Sequence, residues 1–324
     1  MNKREWITGL VLLALLPVAA VSASVMGEVY YVNLATRVAI VALAAVGLNF
    51  ALGFGGLVSF GHAAFFGLGG YVAGIAAHHA FDGSAFLGPI SGTTSMPVIW
   101  GVAALVCAIV AMLIGTISLR TSGVYFIMIT LAFAQMIYYF AISFPAYGGQ
   151  DGLPIYLRNT FPGVNADAPL VYFAISLTAL IAALALSARI MGSGFGAALT
   201  MARMNPTRLA TSGIEPRPVH LRAFVISAVI TGLAGALFAD LNGFVGPSML
   251  DWHRSGEIMV IVILGGTGRL FGPVAGAILF IALEVLIGGV TDHWQFFLGL
   301  ILLSVVLFAR GGLIGVISGR GRND

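Results

Sequence analysis

Apolar residues in this chain run on without the alternation of a half-buried strand and without the polar face of a surface helix. A helix that crosses a bilayer needs about 20 mostly apolar residues, within a range of about 17–25. Runs of that kind predict ten spans: Trp6–Met26, Asn33–Leu52, Leu57–His78, Pro97–Leu119, Gly123–Pro145, Leu170–Ala188, Ala223–Gly243, Glu257–Phe271, Pro273–Gly289 and Trp294–Ala309. The last three are short, and Gly265, Gly266 and Gly268 mark a break or a re-entrant turn between the eighth and ninth. The first run follows Lys3 and Arg4 and contains Val21-Ser22-Ala23, which resembles a secretory leader. Its apolar stretch of about 19 residues exceeds the ~7–15 of a leader core, so it reads as a retained span.

Composition turns this pattern into a class. Of 324 residues, 59% are hydrophobic and 8% charged, against about 25% charged in a soluble domain. A water-soluble fold has no polar groups here with which to cover its surface, whereas a bilayer tolerates such a surface. The 43 glycines suit close approach of membrane helices. The chain is therefore expected to be an all-α polytopic membrane protein, with 1–324 as a single transmembrane domain. The net charge of +3 does not suggest nucleic acid as a partner. The one cysteine, Cys107, forms no intrachain disulfide and leaves the redox compartment unread.

Charge placement sets the orientation. Ten spans put both termini on one side. With that side inward, the inner loops and ends hold Lys3, Arg4, Arg120, Arg189, Arg203, Arg208, Arg217, Arg222, Arg269, Arg310, Arg320 and Arg322. The outer side holds only Arg37, Arg158 and Arg254, together with Glu28, Asp82, Asp151, Asp167, Asp251, Glu257 and Asp292. The basic bias points to cytoplasmic termini. Five of the fifteen basic residues fall between Arg189 and Arg222, in the longest polar segment of the inner face. That segment is either a solvated loop or the docking site of a cytoplasmic partner.

Several chemistries are excluded. Lys3 is the only lysine, so the chain has no Gly-Lys-Ser/Thr phosphate loop and no interior Schiff-base lysine. Neither His-Glu-x-x-His nor Gly-x-Ser-x-Gly occurs. The Gly192–Ala197 stretch loosely fits a dinucleotide pattern but follows a membrane helix rather than a strand. His78 and His79 are neighbours in sequence and point to different helix faces, so no metal site is expected. No cofactor is expected either. Uphill transport must then draw on a partner or an ion gradient. Glu284, well inside the ninth span, is an isolated acid expected to face the bundle interior or a cavity, or to be protonated. Asp240, near the outer end of the seventh span, is expected to reach water.

Three blocks then resemble one family. They are GLNFALGFGGLVSFGHAAFFGLGGY (Gly47 to Tyr71), GVYFIMITLAFAQM (Gly123 to Met136) with YGGQDGLP (Tyr147 to Pro154), and SGFGAALTMARMNPTRLATSGI (Ser193 to Ile214) with ILGGTGRLFGPVAGA (Ile263 to Ala277). In order, over about 230 residues, these resemble the inner-membrane permease subunit of branched-chain amino acid ABC transporters, the LivM type. Urea, amide and aromatic-acid permeases resemble this subunit closely. Gln135 departs from a frequent Glu, and Tyr147 from a Thr before the paired glycines. The resemblance implies a vitamin B12 importer-like fold in which spans 2–5 and 7–10 form an inverted repeat. It implies a sister permease subunit in a heterodimer, two cytoplasmic ATPases, a periplasmic solute-binding protein and a place in the bacterial inner membrane.

The same resemblance gives the candidate residues. The glycines from Gly53 to Gly74 read mainly as close helix packing, with Gly70 and Gly74 as a small-xxx-small face. The sharper reading is unwound backbone near Gly53–Gly56 that lines the pathway. Pathway candidates are Asn49, Ser59, His62, Tyr125, Thr130, Gln135 and Glu284, although Asn49, Ser59 and His62 more readily satisfy a neighbouring helix. The 189–222 loop reads as an ATPase-docking element through Ser193, Gly194, Gly196, Leu199, Ala202, Arg203, Asn205, Leu209 and Gly213, its apolar residues entering a partner's groove. Gly148, Gly149 and Asp151 lie in an outer loop, where Asp151 meets the binding protein, meets the solute, or is a plain loop carboxylate. The competing classes are a proton-coupled secondary carrier using Glu284 and a polytopic membrane enzyme.

Overall fold

The computed structural model describes residues 3–83, 85–87, 90–163, 165–290, 293–308 and 311–317. Asp292, Ala309, Arg310, Arg320 and Arg322, used above for topology, lie outside the described residues, as do the side chains of Lys3 and Arg4. Each of the ten apolar intervals holds a helix. They are α1 (Lys3–Val25), α2 (Val29–Asn49), α3 (His62–Asp82), α4 (Met96–Ser118), α5 (Val124–Ile142), α6 (Pro169–Met191), α9 (Pro216–Asn242), α10 (Trp252–Gly265), α11 (Gly272–Gly288) and α12 (Trp294–Phe308). Two short helices, α7 (Gly194–Met204) and α8 (Pro206–Thr211), fall between α6 and α9, and α13 (Gly312–Ile317) follows α12. Among the described residues, six helices are long and apolar enough to cross a membrane: α1 from Glu5, α2 with its continuation to Phe54, α4, α5, α6 and α9.

Three boundaries differ from the hydropathy reading. The 189–222 segment is not an open loop, because α7 and α8 occupy it and α9 begins at Pro216, seven positions before Ala223. Proline at the first helical position starts α9 while Arg217 and Arg222 are still polar, so the helix extends beyond its apolar part. The third helix begins at His62 rather than Leu57. Helix α2 loosens into a π-helical turn, Phe50–Phe54, and residues 55–61 are non-helical. The predicted eighth span splits, with α10 ending at Gly265 and left-handed Gly266 and Gly268 leading into α11. Hydropathy alone does not register the last two breaks, but the glycines that mark them, Gly53–Gly56 and Gly265–Gly268, are where the sequence placed them.

Helices α2 and α9 form the centre. Helix α2 packs against α1, α6, α9, α10 and α11, and α9 against α2, α3 and α4. Small side chains at Ala39, Ala42, Ala44 and Ala45, all nearly inaccessible, let the neighbours of α2 close in. Glycines make the α3–α9 crossing. A methyl group on Gly69 would overlap the Gly232 carbonyl, and one on Gly235 the Phe66 carbonyl. Gly70 meets the Gly235 carbonyl of α9 as well as Met249, whereas Gly74 abuts Val245 in the segment joining α9 to α10.

The ends of the bundle are tied by polar contacts. At one end Arg269 pairs with Glu5 at 2.6 Å, and Asn49 accepts from the Gly268 N–H and donates to the Arg269 carbonyl. Helix α13 packs against α1, α10 and α11 at that end. At the other end the outer loop is pinned. Strand β1 (Leu153–Pro154) pairs antiparallel with β2 (Phe244–Val245), and Asn159 donates to Asp240 at 2.5 Å. Asp240 is thus buried, 3% exposed, rather than open to water. The loop folds back over it, with Arg158 stacked on Tyr172. His78 and His79 do face apart, one toward Asp82 and the other toward Tyr147.

Candidate translocation pathway and coupling surface

The unwound segment at residues 55–61 runs into the bundle rather than across its surface. Its far end is fixed at depth, where His62 Nε2 lies 2.7 Å from Ser227 Oγ, and Ser227 also donates to the Gly47 carbonyl. Ser227 is about three helical turns beyond the start of α9, so His62 sits roughly 16 Å along that helix. On the same segment the Ser59 hydroxyl accepts from the Gly61 N–H. Ser255 of α10 closes the N-terminus of α3 by accepting from the Ala63 N–H and donating to the Phe60 carbonyl. Irregular backbone at this depth is stable only where its polar groups find such partners or line a cavity.

The pathway candidates divide by partner. Asn49, Ser59, His62 and Thr130 are buried. Asn49 and His62 bond neighbouring elements, Ser59 bonds within its own segment, and Thr130 bonds within α5 to the Ile127 carbonyl. Ser59 and Thr130 come together, each with an atom within 3.4 Å of where a Gly61 side chain would start. Gln135 and Tyr125 are elsewhere on α5. Tyr125 is 72% exposed, in a row with Met128, Met136, Tyr139 and Phe140. Gln135 lines a shallow cavity with Met136, Tyr139 and Ser143, and its buried Nε2 has no hydrogen-bond partner. The exposed face of α4, by contrast, is aliphatic: Val98, Val102, Leu105, Ile109 and Leu113.

Glu284 stands apart from all of these, and it is not isolated. Both its carboxylate oxygens accept from Arg37 Nη2, at 2.8 and 3.0 Å. Arg254 and Glu257, themselves 2.7 Å apart, line the same small cavity, so four charges of balanced sign share it. The sequence reading missed Arg37 and Arg254 as partners because it assigned both to the outer surface. Spacing of 247 positions gives no local signal of the pair.

In the 193–214 segment the structure reverses the expected sides. Leu199, Ala202 and Leu209 are fully covered, packed with Phe50, Val219 and Ala223 of the same chain. They do not enter a partner's groove. They hold α7 and α8 to the bundle, because burying them against α2 and α9 satisfies the apolar stripe internally. Gly196 is pressed against the end of α6, at Met191. Asn205 caps α8 by accepting from the Arg208 N–H at 3.0 Å. Arg203 donates to the Gly53 carbonyl, and its stem lies on Gly56, rather than reaching a carboxylate. Ser193, Gly194 and Gly213 are exposed, and the outward face carries Met201 and Met204, the latter 80% exposed. The sequence reading passed over these two methionines. In the outer loop Gly148 and Gly149 take left-handed backbone that turns the chain, and Asp151 is exposed.

Residues 30–306 match a family described as the branched-chain amino acid transport system / permease component. The high-affinity branched-chain amino acid transport permease LivM of Escherichia coli K12 is 26% identical over 307 residues, covering 87% of this chain and 69% of that protein. LivM of Salmonella typhimurium matches over the same span at 26% identity. The autoinducer 2 import permease LsrC of Yersinia pseudotuberculosis is 27% identical over 167 residues, 49% of this chain and 46% of that protein. No solved structure matches. The chain belongs to the family of branched-chain amino acid transport permease components.

Proposed function

We propose that this chain is one of two permease subunits of an ABC importer for branched-chain amino acids or close relatives, driven by ATP hydrolysed on partner subunits. The family match over residues 30–306 carries this reading. LivM relatives favour branched-chain amino acids over the urea, amide and aromatic-acid alternatives, and LsrC is a reminder that the family's permeases serve unlike solutes.

In this reading the whole chain, 1–324, is one transmembrane domain of ten spans in the bacterial inner membrane, with both termini cytoplasmic. The central pair α2 and α9 supports an inverted repeat of the vitamin B12 importer type, since each opens one half and each is followed by an irregular connection, residues 55–61 and 243–251. The α5 face with Tyr125, Gln135 and Tyr139 faces the sister subunit and the pathway, its exposed aromatic and methionine row offering apolar area for that contact. The unwound segment with Ser59, His62 and Thr130 borders that pathway. Met201 and Met204 are the anchors for the ATPase, flexible apolar side chains suited to a groove. Asp151 meets the periplasmic binding protein.

Reconstitution into vesicles tests the proposal. With a sister permease, the ATPases and a binding protein, uptake of leucine, isoleucine or valine should require ATP. Uptake of another class of solute would correct the substrate. Uptake driven by a pH gradient without ATP would replace the reading with the proton-coupled carrier, a reading that the Arg37 partner of Glu284 disfavours.

A further inference from the structure

A cavity of about 640 Å³ opens at the end of the bundle that carries α7 and α8. One part of its wall is basic, with Arg203, Arg217 and His220, alongside the hydroxyls of Thr121 and Ser122. Among the described residues, no carboxylate lines it. The remainder is apolar, chiefly Leu57, Val58, Leu119, Phe126 and Ile127.

Two helices also begin at this wall. Gly123, immediately before α5, and Pro216, the first residue of α9, both line the cavity. The first N–H groups of a helix have no carbonyl within it, and the N-terminus is the positive end of its dipole. The start of α5 is of this kind and can accept an anion, whereas α9 opens with Pro216 and Pro218, which carry no N–H. Arg217 makes no hydrogen bond or ion pair among the described residues, whereas the Nε2 of His220 is closed off from solvent and is not available to a ligand. The Arg217 cation, the Ser122 hydroxyl and the start of α5 therefore border one unfilled volume.

We propose that this cavity binds the phosphate of an anionic phospholipid, held by Arg217 and the Ser122 hydroxyl near the start of α5, with an acyl chain along Leu57, Val58, Phe126 and Ile127. The divided lining is the reason to choose a lipid over a free phosphate. An inorganic anion has no use for the apolar half, whereas a phospholipid presents charge and hydrocarbon in that order. Basic pockets between helices near the cytoplasmic surface are suited to such headgroups. The inference rests on the membrane reading of this chain and places the lipid beside Arg203 and Gly56, where α7 meets the broken end of α2. A lipid here would brace the junction between the proposed coupling helices and the unwound segment.

The test uses the full chain, purified in mild detergent with the subunits that accompany it, and native mass spectrometry with added lipid. Phosphatidylglycerol should be retained in preference to phosphatidylcholine of the same chain length. Arg217→Gln should lower that retention about fivefold, the worth of one basic residue at an anionic surface. Arg217→Lys should restore it, and Arg120→Gln, an exposed arginine outside the cavity, should leave it unchanged. The proposal fails if Arg217→Gln retains phosphatidylglycerol fully, or if inorganic phosphate displaces the lipid at equal concentration. It also fails if lipid retention is unaffected while ATPase co-purification is lost, since the cavity would then hold an acidic segment of the partner. Lipid retention is read without transport or ATP, so loss of the importer reading would not be mistaken for loss of this one.

Discussion

Arg37 on α2 and Glu284 on α11 form a two-pronged ion pair, with Arg37 Nη2 at 2.8 and 3.0 Å from the two carboxylate oxygens. The pair is only partly buried, with the side chains 34% and 20% exposed, so its net contribution is modest while the cost of orphaning either charge is larger. It clamps the second helix to the eleventh without relying on a proton.

Glu284→Gln should therefore leave transport ATP-driven and largely intact. It should lower thermal stability by about 1–3 kcal/mol, because Arg37 loses its counter-charge. The double variant Arg37→Gln/Glu284→Gln should be less destabilised than the sum of the single changes, as a coupled pair requires. Thermal unfolding of the purified protein measures this. Additive effects would mean the pair does not couple, and loss of proton-linked uptake would reinstate the carrier.

The coupling surface separates two kinds of variant. Leu199→Ala removes a fully buried side chain and should destabilise the chain by about 2–5 kcal/mol, whatever its partner does. Met204→Asp changes an 80% exposed residue and should stay within about 0.5 kcal/mol of the parent in stability while sharply reducing ATPase co-purification. Normal co-purification and solute-stimulated hydrolysis in Met204→Asp would remove α7 as the docking element.

The α3–α9 crossing is sensitive to a single methyl. Gly235→Ala would push its side chain into the Phe66 carbonyl, which is backbone and has no room to yield. The expected loss is about 1–3 kcal/mol or more. Gly101→Ala on α4 meets nothing within 4 Å and should be tolerated. Expression and melting temperature in the same detergent compare the two, and equal behaviour would contradict the close crossing.

Topology has a direct check. A reporter fused after Arg208 should be active on the cytoplasmic side and one fused after Asp151 on the outer side, because the arginine bias over ten spans predicts that sidedness. Activity of both on one side would dismiss the ten-span arrangement.

Much was legible in the chain before folding. Uninterrupted apolar runs located a helix in each of the ten intervals, because a span's identity depends on local composition over about 20 residues. The family blocks were equally local, and the absence of a phosphate-loop lysine follows from residue types alone. What the tertiary structure decided is which side of each helix faces what. The stripe with Leu199, Ala202 and Leu209 announced that α7 and α8 bury a face, but periodicity does not say whether the cover is a partner or the chain's own Phe50 and Val219. Asp240 looked close to water because depth along a helix is readable and a loop folding back to bring Asn159 over it is not. Glu284 looked isolated because its partner lies 247 positions away. Local sequence carries helix and hydropathy, which are set within a few turns, while ion pairs, glycine crossings and the cavity at Arg217 depend on contacts between segments that only the folded chain brings together.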